Sequence, residues 1–494
     1  MTARRPNILL ILSDDHASHA ISAYGSVVTH TPHIDQIAER GRRVDSCFCT
    51  NSVCTPSRAS ILTGQHSHRN GVTTLHSPFD ATLPTFATQL QAAGYRTGIV
   101  GKWHLGEGEG HDPQGFDHWE VLRGQGEYVD PQLLSPSGVE IAPGYVTDVL
   151  TERGLAWVDS LEGKEPWCLL IYHKAPHRNW QPDARHAGTH SAPIPLPRTF
   201  EDDYAGRSSA AHLAAMRVAD HLTTNDLKID PPTDLPREQL ARWKYQRFME
   251  DYLDCVAGID DSVGRVTSWL QQRGDAEDTM LMYSSDQGFF LGDHGWFDKR
   301  FIYEESMRMP LLVSYPRRIT PGAPMEQLIT NVDLARTILD AAGAEPHPDM
   351  QGMSFFPQLC GSDAPTQDAV YYRYFEHDDR ESHVLAHYGL RTDRYKLIYF
   401  YNDGQGHPGS STRRFVPEWE LYDLRADPGE MLNVAHDPAY AEVRRELTHR
   451  LWDLQAELGD QPHPEQPHPD ELFPEPPHPH ERFPHPLHPL TSKD

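Results

Sequence analysis

The chain has 494 residues, too many for one small core and too few for many domains, so two packed units and a tail are expected. Forty-four basic against 71 acidic residues give a formal net charge of -27, which opposes binding to nucleic acid or to an anionic membrane surface. An anionic substrate would therefore need positive charge concentrated at its site.

Met1 to Pro6 carries Arg4 and Arg5, but the apolar run after it, Ile8 to Leu12, soon ends in Asp14 and Asp15. That run is too short for a secretory leader core or a membrane span, so a soluble, cytoplasmic protein is expected. The six cysteines, at positions 47, 49, 54, 168, 255 and 360, are too sparse and irregular for a disulfide framework. Cys47, Cys49 and Cys54 cluster, but no second Cys/His pair at finger spacing accompanies them, which argues against a zinc site.

Asn7 to Ser13 is a continuous apolar run, as expected of a strand buried on both faces. A helix is predicted from Pro32, with Ile34, Ile37 and Ala38 at helical spacing and Gly41 as its stop. The pattern recurs with a helix over Phe86 to Ala93 and a strand over Thr97 to Val100. Trp167 to Tyr172 and Thr279 to Ser284 read as further buried strands. Strands alternating with helices predict an α/β fold, a large and mostly parallel sheet sandwiched by helices. Ligands of such sheets bind beyond the carboxyl ends of the strands, where Asp14, Asp15, Lys102, His173 to His177 and Asp286 should converge.

After a helix over Val332 to Ala342 the pattern changes. Short strands at Ala369 to Glu376, His387 to Thr392, Tyr395 to Tyr401 and Glu420 to Leu424, then an amphipathic helix over Ala441 to Leu458, predict a smaller α+β unit with an antiparallel sheet. The boundaries drawn are 1–362, 363–460 and 461–494. The last segment is rich in His-Pro pairs, with Phe473 and Phe483 as apolar anchors, and is expected to form an extended arm on this subunit or on a neighbour in a homo-oligomer.

Six stretches carry the chemistry. In Cys54-Thr55-Pro56-Ser57-Arg58 the Pro and Ser favour a helix start, which places Cys54 where backbone N–H groups point at an anion and Arg58 one turn in to clamp it. Asp14 and Asp15, after the first strand, offer two hard oxygen ligands, and Asp286 with Gln287 follows another buried strand. Lys102 and His104 share one loop, His177 follows the third strand, and Lys299 lies in a Gly-Asp-His-rich stretch.

The Cys-x-Pro-Ser-Arg segment with its Leu-Thr-Gly continuation resembles the formylglycine-dependent sulfatase family of the alkaline phosphatase superfamily, and the resemblance spans most of residues 5 to 435. It implies oxidation of Cys54 to formylglycine by a formylglycine-generating enzyme. It also implies an all-oxygen site at Asp14, Asp15, position 54, Asp286 and Gln287, which selects calcium or magnesium over zinc; calcium is expected. Gln287 stands where many members have Asn or His. The resemblance further places Arg58, Lys102 and Lys299 on the sulfate, His104 beside the nucleophile and His177 on the leaving-group oxygen. The runs 174–182, 286–300 and 387–398 resemble those of bacterial glycan sulfatases, including N-acetylglucosamine-6-sulfatase-like members, which implies hydrolysis of a sulfate monoester on a sugar. A phosphonate monoester or phosphodiester hydrolase of the same superfamily is the alternative. Arg178, Asn179, His383 and His387 are polar residues near the predicted rim and are candidate sugar contacts.

Overall fold

The computed structural model describes residues 5–469. Among the described residues the main sheet has nine strands: β1 (Asn7–Ser13), β2 (Arg42–Val44), β3 (Arg96–Gly101), β4 (His118–Leu122), β5 (Gln132–Ser135), β6 (Gly138–Ile141), β7 (Trp167–Tyr172), β8 (Thr279–Ser285) and β9 (Leu311–Ser314). Their spatial order is β2-β9-β8-β1-β7-β3-β4-β5-β6. The five central strands, β8 to β4, run parallel, whereas β9 and β2 on one flank and β5 and β6 on the other pair antiparallel. The sheet is therefore mixed; β5 and β6 are joined by Pro136 and Ser137 alone, and so short a connection permits only an antiparallel partner.

β1 shows why the central strands are apolar throughout. Ile8, Leu10 and Leu12 face one core and Leu9 and Ile11 the other, all fully buried. Helices α1 (Pro32–Glu39), α4 (Val146–Asp159) and α5 (Arg237–Arg273) cover the Leu9 face, while α2 (Cys54–Thr63), α3 (Phe86–Ala92) and α6 (Asp333–Ala342) cover the other. With 37 residues, α5 is about 55 Å long at the usual rise per residue and crosses the whole body. Its buried stripe, from Tyr245 through Phe248, Tyr252, Val256 and Ile259 to Val263, repeats at helical spacing.

Register sets the functional edge. Leu12 pairs with Tyr172 on one side and Ser284 on the other, and Tyr172 pairs with Gly101. The next residue of each chain segment, or the one after it, is therefore Asp14, His173, Asp286 or Lys102. Gly101 is required here: at φ +118° it brings the chain so close to β7 that a Cβ would lie 1.9 Å from the Tyr172 carbonyl oxygen.

A second, four-stranded antiparallel sheet consists of β10 (Ala369–Tyr374), β11 (His387–Thr392), β12 (Tyr395–Phe400) and β13 (Glu418–Asp423). One face packs against α7 (Ala441–Leu458). The other, with Tyr372, Tyr374, Ile398, Phe400 and Tyr422, joins the core of the main body. Alternation along these strands separates the two faces. The beginning of the Pro/His-rich segment lies on this chain's own sheet: His463 stacks on Tyr401 with ring centres 5.3 Å apart, and Tyr399 donates to the Glu465 carbonyl at 2.8 Å. Phe473 and Phe483, the anchors expected of an arm reaching a neighbour, lie outside the described residues. No helix among the described residues is long and apolar enough to cross a membrane.

Candidate active site

Three carboxylates meet where β1 and β8 end. Asp14, Asp15 and Asp286 are buried, and each offers an oxygen within 4.8 Å of the others. Asp15 adopts φ +68°, and its carbonyl accepts from the Tyr252 hydroxyl of α5 at 2.8 Å, so the long helix holds the turn that aims the carboxylate. Burial, helped by repulsion from Asp14 and Asp298, outweighs the attraction of Lys299 and pushes Asp15 up to about 6. Burial and then Asp14, against Arg58, push Asp286 up to about 7. Asp14 goes the other way: burial would raise it, but Lys102, His177, Arg58 and Lys299 together hold it well below the usual carboxylate range.

Three cations answer these three anions. Arg58, one turn into α2, donates from Nε to Asp286 Oδ2 at 3.0 Å and from Nη1 to the Lys102 carbonyl at 2.6 Å, with its plane over the Tyr172 ring. Lys102 Nζ bonds Asp14 Oδ2, and Lys299 Nζ lies 2.6 Å from both oxygens of Asp15. Cys54 opens α2 without a side-chain cap, its Sγ 3.5 Å from Asp14 Oδ1 and 3.8 Å from Gln287 Nε2. Burial and then Asp14, against Lys102 and Lys299, push the Cys54 thiol up to about 12, so the unmodified side chain is a poor nucleophile.

The donor set fits a hard divalent cation. Asp14, Asp15 and Asp286 crowd negative oxygens with little water to screen them, and Gln287 Oε1 is buried without a hydrogen-bond partner while its Nε2 donates to Asp15 at 2.5 Å. Such an oxygen cluster suits calcium or magnesium.

Two histidines approach from separate loops. The Thr55 hydroxyl donates to the His104 carbonyl at 3.1 Å, so the Nδ1–H of His104 donates to that hydroxyl at 3.2 Å and Nε2 keeps the lone pair. His177 Nδ1–H donates to the Arg178 carbonyl at 2.7 Å, leaving Nε2 3.8 Å from Asp15. Burial, followed by Lys102, holds both rings well below the usual histidine range.

Beyond His177 an open pocket of about 580 Å³ is lined by Lys174, Arg178, Asn179, His221, Phe297 and Glu381. Arg178 is bidentate on Asp226 at 2.6 and 2.8 Å, and Asn179 Nδ2 is 3.4 Å from Asn225 Oδ1. His383 is 42% exposed and paired with Asp378 at 2.9 Å, and it does not line this pocket. The rim position expected of His387 does not hold. Its ring is fully buried between Tyr372, Phe301 and Phe400, with Nδ1 on the Leu385 carbonyl and Nε2 on the Ile302 amide. Polarity suggested a solvent edge, but β11 turns this side chain into the core. Sequence reading gives no role to Asp226, Glu381 or Phe297, which come from a four-residue helix, a distant turn and a two-residue strand with no local signal. Lys174 falls within the His173 to His177 stretch expected at the sheet edge, with no role of its own there.

Family comparison decides the class. The sulfatase family profile matches residues 6–344, and the profile described as N-sulphoglucosamine sulphohydrolase, C-terminal, matches residues 292–457. The chain belongs to the sulfatase family. Among its sulfatase relatives, an N-acetylglucosamine-6-O-sulfatase of Bacteroides thetaiotaomicron is 39% identical over 92% of this chain and 87% of that protein. A solved structure described as a complex with its substrate D-glucosamine-2-N,6-O-disulfate superposes with a TM-score of 0.87 at 39% identity, covering 92% of this chain and 98% of that one. The phosphonate monoester hydrolase of Agrobacterium radiobacter, at 21% identity and a TM-score of 0.72 over 92% of this chain and 96% of that one, shares the fold.

Proposed function

We propose that this sulfatase hydrolyses the 6-O-sulfate monoester of a glucosamine sugar, N-acetylated or N-sulfated, with a formylglycine made from Cys54 and a calcium ion at Asp14, Asp15, Asp286 and Gln287. The observation that carries this reading is the 39% identity to an N-acetylglucosamine-6-O-sulfatase across 92% of the chain. A formylglycine-generating enzyme is the partner that maturation requires. Bound together, the hydrated aldehyde would supply a nucleophile and calcium the positive field in which it acts.

The chain's own residues do the rest. With all three ionised, as a bound cation favours, Asp14, Asp15 and Asp286 balance the positive charges on Arg58, Lys102 and Lys299. A divalent cation would turn this balance into a net excess of two positive charges, which favours an anionic ester despite the acidic surface. Arg58, Lys102 and Lys299 bind sulfate oxygens and fix sulfur opposite residue 54. His177 Nε2 is the ring atom that gives a proton to the departing alcohol, since its Nδ1 is held by a carbonyl. An arriving anion favours the charged ring and moves its proton affinity upward. His104 Nε2, left unprotonated by the Thr55 bond, accepts a proton beside residue 54. The pocket with Arg178 and Asn179 would take the sugar.

A substrate panel tests this reading: N-acetylglucosamine-6-sulfate, D-glucosamine-2-N,6-O-disulfate, nitrophenyl sulfate, a phosphonate monoester and a phosphodiester. The largest kcat/KM is expected for a 6-O-sulfated glucosamine. A larger value for the phosphonate or the phosphodiester would overturn it.

A further inference from the structure

Lys299 sits in strained backbone. Its neighbours Asp298 and Arg300, neither of them glycine, adopt φ +83° and +88°, a left-handed conformation that residues with side chains keep only where the surroundings enforce it. Asp298 is held by pairing with Phe290 and by its Oδ1 accepting from the Lys299 amide at 2.9 Å, whereas on the Arg300 side the enforcing groups come from the C-terminal sheet. Tyr372 of β10 donates its hydroxyl to the Arg300 carbonyl at 2.5 Å, Tyr374 Oη lies 3.3 Å from Arg300 Nη1, and His387 of β11 accepts from the Ile302 amide at 3.2 Å.

The Tyr372 hydroxyl has a second partner. It accepts from the Ser52 amide at 3.1 Å, two residues before Cys54. One fully buried hydroxyl thus joins the segment that begins the Cys54 helix to the segment that carries Lys299, one residue past the lysine. The same two segments also meet further along, where Cys49 N donates to the Met307 carbonyl at 2.8 Å and Ser52 Oγ to the Ser306 carbonyl at 3.1 Å. Those contacts lie several residues past Lys299, so next to the lysine it is the Tyr372 hydroxyl that ties the two segments together. His387 stacks on the Tyr372 ring, centres 5.6 Å apart and planes 20° from parallel, which fixes where the hydroxyl points.

We propose that Tyr372 is a positioning residue for the reaction: its hydroxyl sets the placement of the Lys299 ammonium relative to residue 54. The C-terminal sheet then takes part in catalysis without touching substrate. This rests on the reading of Lys299 as a sulfate-binding cation.

The test is a double-mutant cycle on the matured, calcium-loaded enzyme with Tyr372→Phe and Lys299→Met, assayed on N-acetylglucosamine-6-sulfate. Phe keeps the ring and its packing, and His387→Leu is a second variant that loosens the same anchor. Tyr372→Phe is expected to lower kcat about tenfold to a hundredfold with a much smaller change in KM, the effect of a displacement of about 1 Å at the reacting centre. In the Lys299→Met background the further loss should shrink to less than about threefold, because the group being placed is gone. An equal loss in both backgrounds, or a Tyr372→Phe enzyme within about twofold of the parent, would overturn the proposal, whatever the change in Tm. If Lys299→Met itself has no effect, the sulfate-binding reading of Lys299 falls and this proposal with it. If Lys299→Met is severe and Tyr372→Phe silent, only the proposal falls.

Discussion

The edge of the main sheet and the rim around it are built on different principles. At the edge, β1, β3, β7 and β8 run in register, so Asp14, Lys102 and Asp286 arrive together because their strands stop together. At the rim, Arg178 is held by Asp226 from a short helix, Glu381 comes from a turn before β11, and Phe297 comes from a two-residue strand. The edge is fixed by hydrogen-bond register and carries the charge; the rim is fixed by contacts between distant loops and carries the shape. Changes at the edge should therefore strike every substrate alike, while changes at the rim should discriminate among sugars.

The largest effect is expected at the edge. Cys54→Ala should lower kcat by about 10³-fold or more on nitrophenyl sulfate and sulfated sugar alike, as loss of a nucleophile does; steady-state kinetics on both substrates checks it, and a loss confined to the sugar would break the comparison. Next comes removal of the cation. Chelation should abolish turnover and lower Tm, with both restored by calcium, since a ligand at a hundredfold excess over its Kd contributes about 2.7 kcal/mol to stability. Differential scanning calorimetry with and without chelator would show it, and an unchanged Tm would argue against a site at Asp14, Asp15 and Asp286.

Smaller effects belong to the rim. Arg178→Ala should lower kcat/KM for the sulfated sugar about tenfold, the scale of one hydrogen bond to a charged group, and spare nitrophenyl sulfate. Equal losses on both substrates would move Arg178 to the edge. The smallest effect concerns His387, whose burial pushes it from 6.5 down to about 3. A depressed histidine contributes stability that is fully present above about 6.5 and lost as the pH falls towards 3, by up to about 1.4 kcal/mol per pH unit. His387→Leu should accordingly flatten the dependence of unfolding free energy on pH between about 6.5 and 5, by up to one proton. An unaltered slope would mean the ring is not held neutral.

The sequence showed the edge far better than the rim. β1, β7 and β8 announce themselves as uninterrupted apolar runs because both of their faces are covered, and Cys54 with Arg58 falls within a five-residue segment. Gln287 and Lys299 were reached through family resemblance rather than local pattern. The flanking antiparallel strands left little trace, since β6 is exposed along its length and β2 is only three residues long. The 37-residue α5 went unread because charged residues interleave its buried stripe. His387 was placed on the rim for its polarity, yet alternation along β11 turns it inward, and only the tertiary packing of Phe301 and Tyr372 shows why. Tyr372 had no signal at all, being one aromatic among several in an ordinary strand.

Peptide mass spectrometry on catalytically active protein tests the central claim most directly. The peptide containing Cys54 is expected to be about 18 Da lighter than its thiol form, the difference between a thiol and an aldehyde side chain, and the fraction converted should track the rate of sulfate release from N-acetylglucosamine-6-sulfate across preparations. Full turnover by protein whose Cys54 peptide keeps the thiol mass would contradict it.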